Sequence, residues 1–117
     1  MNILLLGSGG RESAFAMKLA ESKDCEKLLI APGNAGTVAF GTNVNIAVND
    51  FEAIKTLCIA EDINLVLVGP EDPLVNGIVD FFSDDEDLAK NMHSLGMYSP
   101  SNDKLLVVKG SRMTADI

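Results

Sequence analysis

ILLLGSGGRE, at residues 3–12, is the stretch of sequence that decides the fold. Its four apolar residues predict a strand that is buried on both faces, as the strands of parallel sheets are. The glycines allow a tight turn, and the small and apolar residues of 11–22 predict a helix that packs on a sheet. The first N–H groups of such a helix have no internal acceptor, so the arrangement favours binding of an anion such as phosphate. The alternative is a tight strand-to-helix turn that binds no ligand.

The composition predicts a single cytoplasmic domain. The chain has 117 residues, of which 47% are apolar, and its 9 basic and 17 acidic residues give a net charge of −8. This balance argues against a nucleic-acid partner, which needs clustered Lys and Arg. The sequence has no signal-peptide pattern and no apolar run near ~18 residues, so we expect no membrane contact. Cys25 and Cys58 lack metal-ligand spacing and are expected to be reduced thiols.

Strand and helix patterns alternate along the chain. The predicted strands are 2–6, 27–31, 43–48, 64–68 and 95–98, and the predicted helices are 11–22, 50–61, 73–82 and 101–109. This alternation predicts an α/β fold, with an open parallel sheet of four or five strands and helices on both faces. The acidic run at 83–87 is interpreted as a solvated turn rather than a metal site, and His93 as a surface residue.

Three loops rich in glycine or proline, 7–12, 31–36 and 69–74, are expected to meet at the carboxyl edge of this sheet, where such folds bind ligands. The dinucleotide fingerprint fails, because Glu12 stands where its third glycine belongs and the second strand ends without an acid. The phosphate loop that ends in glycine, lysine and serine or threonine is also absent. The first loop alone therefore predicts only an anion near a helix N-terminus.

Three blocks taken together are more specific: GSGGRE at 7–12, APGNAGT at 31–37 and VGPEDPL at 68–74. They closely resemble the amino-terminal domain of the phosphoribosylamine–glycine ligase family, in order and spacing, over essentially the whole chain. The resemblance implies a Rossmann-like pre-ATP-grasp domain at residues 1–117, with ATP-grasp domains expected to follow. Ser13 departs from the family, which usually has a histidine there, and Lys109–Arg112 departs from its usual Glu-Gly-Ser-Lys.

The resemblance also implies a function. The family enzyme uses ATP and magnesium to join glycine to 5-phosphoribosylamine, forming glycinamide ribonucleotide in de novo purine biosynthesis. ATP and magnesium would bind in the domains expected after residue 117, so we expect the chain alone to be inactive as a ligase. No catalytic and no metal-binding residue is predicted in it.

The resemblance implies substrate-binding residues on all three loops: Gly9, Gly10, Arg11, Glu12, Asn34, Gly36 and Glu71. The first loop would approach the phosphoribosyl group through the N–H groups of Gly9, Gly10 and Arg11. Glu71 would accept hydrogen bonds from the sugar. The alternative function is a free-standing module that binds a nucleotide or phosphate and regulates without catalysis. A reading frame that continues past residue 117 into an ATP-grasp region would favour the ligase.

Overall fold

The described part of the chain forms a six-stranded sheet flanked by helices. The structure is a computed structural model, and it describes residues 1–70, 76–84, 96–99 and 104–107. The strands are β1 (Asn2–Gly7), β2 (Lys27–Pro32), β3 (Thr42–Asn43), β4 (Leu65–Val68), β5 (Gly96–Ser99) and β6 (Lys104–Val107). The helices are α1 (Gly10–Glu21), α2 (Phe51–Ala60) and α3 (Ile78–Asp84), together with a 3-10 turn at Thr37–Ala39.

The apolar run of β1 lies at the centre of the sheet. The strand order is β3-β2-β1-β4-β5-β6, and β1 pairs in parallel with both β2 and β4. Leu4, Leu5 and Leu6 are completely buried, because neighbouring strands cover their edges and helices cover both faces. Since β1, β2 and β4 are parallel neighbours, the loops that follow them leave the sheet at one edge.

Helices cover both faces of the sheet, as predicted. Ala16 of α1 packs with Ile3 and Leu5 on one face. On the other face, α2 and α3 contribute buried apolar side chains that pack with Leu4, Leu6 and Val66; these are Ile54, Cys58, Ile78 and Phe82. Side chains of β1 alternate between the two clusters, as the two-residue period of a strand requires. No described helix meets the length and apolarity needed to cross a membrane.

The open α/β class is confirmed, and three elements differ from their predictions. The predicted strand 43–48 is reduced to β3, although Val44, Ile46 and Val48 still pack on the core cluster that lies under α2 and α3. The predicted helix 73–82 begins only at Ile78, after a turn at residues 76–77; residues 71–75 lie outside the described part.

The predicted helix 101–109 is wrong, because residues 104–107 form β6, which pairs antiparallel with β5. Only four residues separate Ser99 from Lys104, which the register places opposite each other. So short a connection suits a hairpin, whereas a parallel crossover needs a dozen residues or more. The predicted sheet of four or five parallel strands therefore gains a sixth, antiparallel strand at its edge.

Cys58 makes stability depend on pH. Burial raises the pKa of its thiol from the ordinary value of 9.0 to about 12. Below pH 9 the folded and unfolded states both keep the proton, so this contribution to stability is fully present. As the pH rises, the unfolded state ionises first and stability falls, by about 1.4 kcal/mol at pH 10.

We therefore expect urea unfolding, under reducing conditions, to show this loss between pH 8 and pH 10 in the wild-type chain. Cys58→Ala is less stable at both pH values because it leaves a cavity, but it lacks this part of the pH dependence. All other titrating groups are shared by the two proteins. If the unfolding free energies of the wild-type chain and Cys58→Ala changed equally over this range, the pH dependence would not come from Cys58.

Candidate functional site

The first and second predicted loops meet at the carboxyl edge of the sheet, together with the start of the third. The Gly33 N–H donates to the Gly7 carbonyl at 3.0 Å, which joins the loops after β1 and β2. The Gly69 N–H donates to the Leu6 carbonyl at 3.1 Å, which joins the loop after β4 to β1. Residues 71–74 of the third loop, and with them Glu71, lie outside the described residues.

Glu12 points into the protein rather than toward a ligand. The residue is only 5% exposed, and its Oε2 accepts the Gly9 N–H at 3.0 Å, so it caps the start of α1. The space that it fills exists because Gly7 and Gly69 have no side chain: a methyl group at Gly7 would lie 2.5 Å from Cγ of Glu12, and one at Gly69 would overlap Oε1. The Gly9 N–H, predicted as an anion donor, is therefore already bonded to Glu12.

Arg11 joins the first loop to the third. Its Nη2 donates to the Gly69 carbonyl at 2.8 Å, while the residue as a whole is exposed. A guanidinium has five N–H groups, so one bond leaves most of them available to an anion. The bond to Gly69 thus holds the guanidinium of Arg11 near the first turn of α1, to which Arg11 belongs.

Asn34 joins the second loop to the first. Its Nδ2 donates to the carbonyls of Ser8 at 2.8 Å and Gly9 at 3.0 Å. Its Oδ1 accepts three hydrogen bonds: from the Ser13 hydroxyl at 3.1 Å, the Gly36 N–H at 2.7 Å and the Thr37 N–H at 3.0 Å. The side chain predicted to contact substrate is thus bonded to protein at both of its polar atoms, and the Gly36 N–H is bonded as well.

Thr37 and Asn43 belong to the same network, and the sequence did not single them out. The buried Thr37 hydroxyl donates to Oδ1 of Asn43 at 2.7 Å, and Nδ2 of Asn43 donates to the Asn34 carbonyl at 2.8 Å. The spacing of Asn34 and Thr37 is the available signal, because Asn side chains commonly bond to backbone N–H groups two or three residues ahead.

Backbone donors in the first turn of α1 remain for a ligand. Within the part of the chain that the structure describes, no acceptor bonds to the N–H groups of Gly10 and Arg11, which lie in the first turn of α1. The position of a side chain on Gly10 is open, with nothing within 4 Å. Among the described residues, no group of three or more His, Cys, Asp or Glu could hold a metal ion. The arrangement is thus able to bind an anion through main-chain groups.

The fold and these loops define an open α/β domain of the kind that binds ligands beyond the carboxyl ends of parallel strands. The family model described as "Phosphoribosylglycinamide synthetase, N domain" matches residues 1–105. The chain belongs to this family.

Curated relatives agree with this assignment. The phosphoribosylamine–glycine ligase of Caldanaerobacter subterraneus subsp. tengcongensis is 39% identical over 115 residues, which cover 98% of this chain and 25% of that protein. The corresponding ligase of Yersinia pestis is 49% identical over 84 residues, 70% of this chain and 20% of that protein. That of Mesorhizobium japonicum is 51% identical over 80 residues, 68% of this chain and 19% of that protein. The chain therefore spans about a quarter or less of the length of these relatives.

Proposed function

We propose that this chain is the amino-terminal, pre-ATP-grasp domain of a phosphoribosylamine–glycine ligase and binds the phosphate of 5-phosphoribosylamine. The observation that carries the proposal is the pair of backbone N–H groups, at Gly10 and Arg11, that have no acceptor within the described residues. They lie in the first turn of α1, at the edge where loops after three parallel strands meet. The relatives are phosphoribosylamine–glycine ligases, which supports the choice of substrate.

The proposed site selects an anion through local charge. The aligned peptide dipoles of α1 place partial positive charge at its first turn, and the exposed Arg11 adds a full positive charge, while the acidic Glu12 of the same turn is buried and faces Gly7 and Gly69. The net charge of −8 repels anions over longer distances. We therefore expect the chain to bind phosphate weakly and with a strong dependence on salt.

The remaining parts of the reaction belong to the rest of the proposed ligase. ATP and magnesium would bind in ATP-grasp domains outside this chain, where glycine would be activated and then joined to the amine. The protein would be cytoplasmic, as expected for purine biosynthesis. Of the predicted substrate contacts, Glu71 remains a proposal that lies outside the described residues.

Titration of the 15N-labelled chain with ribose 5-phosphate tests the proposal. We expect the largest changes in amide chemical shift at Gly10 and Arg11, because their N–H groups would bond to the phosphate. Ribose without phosphate is the matched ligand control and should leave these two amides unchanged. Changes confined to residues 83–93, or an equal response to ribose, would contradict the assignment.

Glycine-dependent ADP release separates the ligase from the alternative regulatory module. We expect none from the 117-residue chain, and we expect activity from a protein in which this chain is continued by ATP-grasp domains. A natural reading frame that stops after Ile117 would instead favour a module that binds phosphate without catalysis.

A further inference from the structure

The side chain of Asn34 has no hydrogen-bonding capacity left for a substrate. An asparagine amide has two N–H donors and one oxygen with two lone pairs. Both donors are used by the carbonyls of Ser8 and Gly9, and the oxygen already accepts three hydrogen bonds. A substrate could bond to this amide only by displacing one of these partners.

The two carbonyls that Asn34 holds belong to the peptide groups that precede the first turn of α1. The Gly9 carbonyl and the Gly10 N–H share one planar peptide group, and in a trans peptide they point in opposite directions. The Gly9 carbonyl accepts the Ser13 N–H of α1 at 3.2 Å as well as Nδ2 of Asn34, and these two bonds together fix the direction in which the Gly10 N–H points. In the same way, the bond to the Ser8 carbonyl fixes the direction of the Gly9 N–H, which donates to Oε2 of Glu12.

We infer that Asn34 is a positioning residue: it orients the Gly10 N–H toward the proposed phosphate by holding the carbonyl on the other side of the same peptide bond. The inference rests on the proposed function, since it assigns the residue that prepares that site. It replaces the direct substrate contact that the sequence predicted for Asn34.

Asn34 is itself held in place, as a positioning residue must be. Its N–H donates to the Thr37 hydroxyl at 2.8 Å, and its carbonyl accepts Nδ2 of Asn43 at 2.8 Å. The bonds from Ser13, Gly36 and Thr37 fix its Oδ1. Glycines at 9 and 10 allow many backbone conformations, and Asn34 adds a second bond to the Gly9 carbonyl beside the one that the Ser13 N–H of α1 makes.

Four variants of the 117-residue chain test this inference. Asn34→Ala removes all side-chain bonds of the residue. Asn34→Asp keeps an oxygen for Ser13, Gly36 and Thr37 but loses both donors, so it cuts the link to the first loop and places a second carboxylate oxygen beside the Ser8 and Gly9 carbonyls. Asn43→Ala removes the hydrogen bond that Asn43 donates to the Asn34 carbonyl, but it keeps the bonds that Nδ2 of Asn34 donates to the first loop. Asn45→Ala, at an exposed asparagine, is the matched control.

The first measurement is 15N relaxation of the amides at Gly9 and Gly10, without ligand. We expect order parameters near ~0.85 in the wild-type chain and in Asn45→Ala, and below ~0.6 in both Asn34 variants. The second measurement is the dissociation constant for inorganic phosphate. Asn34→Ala should weaken binding about tenfold, Asn43→Ala should weaken it less than Asn34→Ala does, and Asn45→Ala should change it less than about twofold.

The outcomes separate the inference from the proposed function. Amides that stay as rigid in both Asn34 variants as in the wild-type chain overturn the inference, whatever the affinity. A loosened loop with unchanged phosphate affinity also overturns it, as does an equal loss of affinity in Asn43→Ala. If the loop loosens in the Asn34 variants but the wild-type chain does not bind phosphate, the proposed function is overturned and the role of Asn34 in holding the loop is supported.

Discussion

Gly7→Ala should destabilise the chain by about 3 kcal/mol, because one methyl group disturbs two features of the structure. Gly7 has a φ of 134°, a conformation that residues with a side chain rarely adopt. The added methyl group would also lie 2.5 Å from Cγ of Glu12. The carboxylate would have to move, and it would leave the Gly9 N–H without its acceptor.

Urea unfolding followed by circular dichroism measures this loss, with Gly10→Ala as the matched control. Gly10 is the first residue of α1, and nothing lies within 4 Å of the methyl group that the substitution adds. We therefore expect Gly10→Ala to change stability by less than about 1 kcal/mol, in the stabilising direction. Similar stability of the two variants would mean that Glu12 does not fill the space beside Gly7.

The polar side chains of the site mainly hold the loops to one another. Arg11 and Glu12 reach the loop that begins at Gly69, and Asn34 reaches the loop that begins at Ser8. The sequence indicated that these residues belong together, because they occur in glycine-rich blocks after buried strands. It could not show whether each one faces a ligand or a neighbouring loop, since both roles require the same donors and acceptors.

The buried strands and long helices were predictable because their patterns are local. The apolar runs of β1, β2 and β4 identify them as parallel strands, and the capping residue before Phe51 marks the start of α2. The cap is Asp50, whose Oδ1 accepts the Ala53 N–H at 3.2 Å, and Asn49 stands next to it in the sequence. Neighbouring asparagine and aspartate both suit this position, so the pattern alone does not choose.

The short edge elements were less predictable because their structure depends on partners. Residues 104–107 contain consecutive apolar positions that suit either a buried helix or a strand, and pairing with β5 decides between them. Val44, Ile46 and Val48 alternate as in a strand and do pack on the core, but the paired strand ends at Asn43. At residues 44–48 the apolar pattern predicts burial more reliably than hydrogen bonding.

Phe82→Ala should destabilise the chain by about 3–5 kcal/mol, the largest loss that we expect from a single substitution. Phe82 is completely buried in the core cluster that includes Ile54 and Cys58 of α2. Its helix, α3, has only seven residues and is too short to be stable alone, so its position depends on this packing. Phe82→Leu, which keeps most of the buried area, should remain folded and lose about 1–2 kcal/mol.

Phe81→Ala is the matched control for this substitution. Phe81 contacts the ring of Phe51 at a centroid distance of 5.6 Å but is only partly buried, so its removal should cost about 1–2 kcal/mol. Unfolding free energies from urea titration compare the variants. An equal loss in Phe81→Ala and Phe82→Ala would contradict the packing of α3 on the core.

Phosphate titration of Phe82→Leu extends this test to the site. α3 and α1 pack on opposite faces of the sheet, so repacking under α3 should not reorient the N–H groups of Gly10 and Arg11. The dissociation constant should therefore stay within about twofold of the wild-type value, although the variant is less stable. However, α3 is the first described element after the loop that contains Glu71. Weaker phosphate binding by a folded Phe82→Leu chain would mean that this third loop, rather than the first turn of α1 alone, holds the anion.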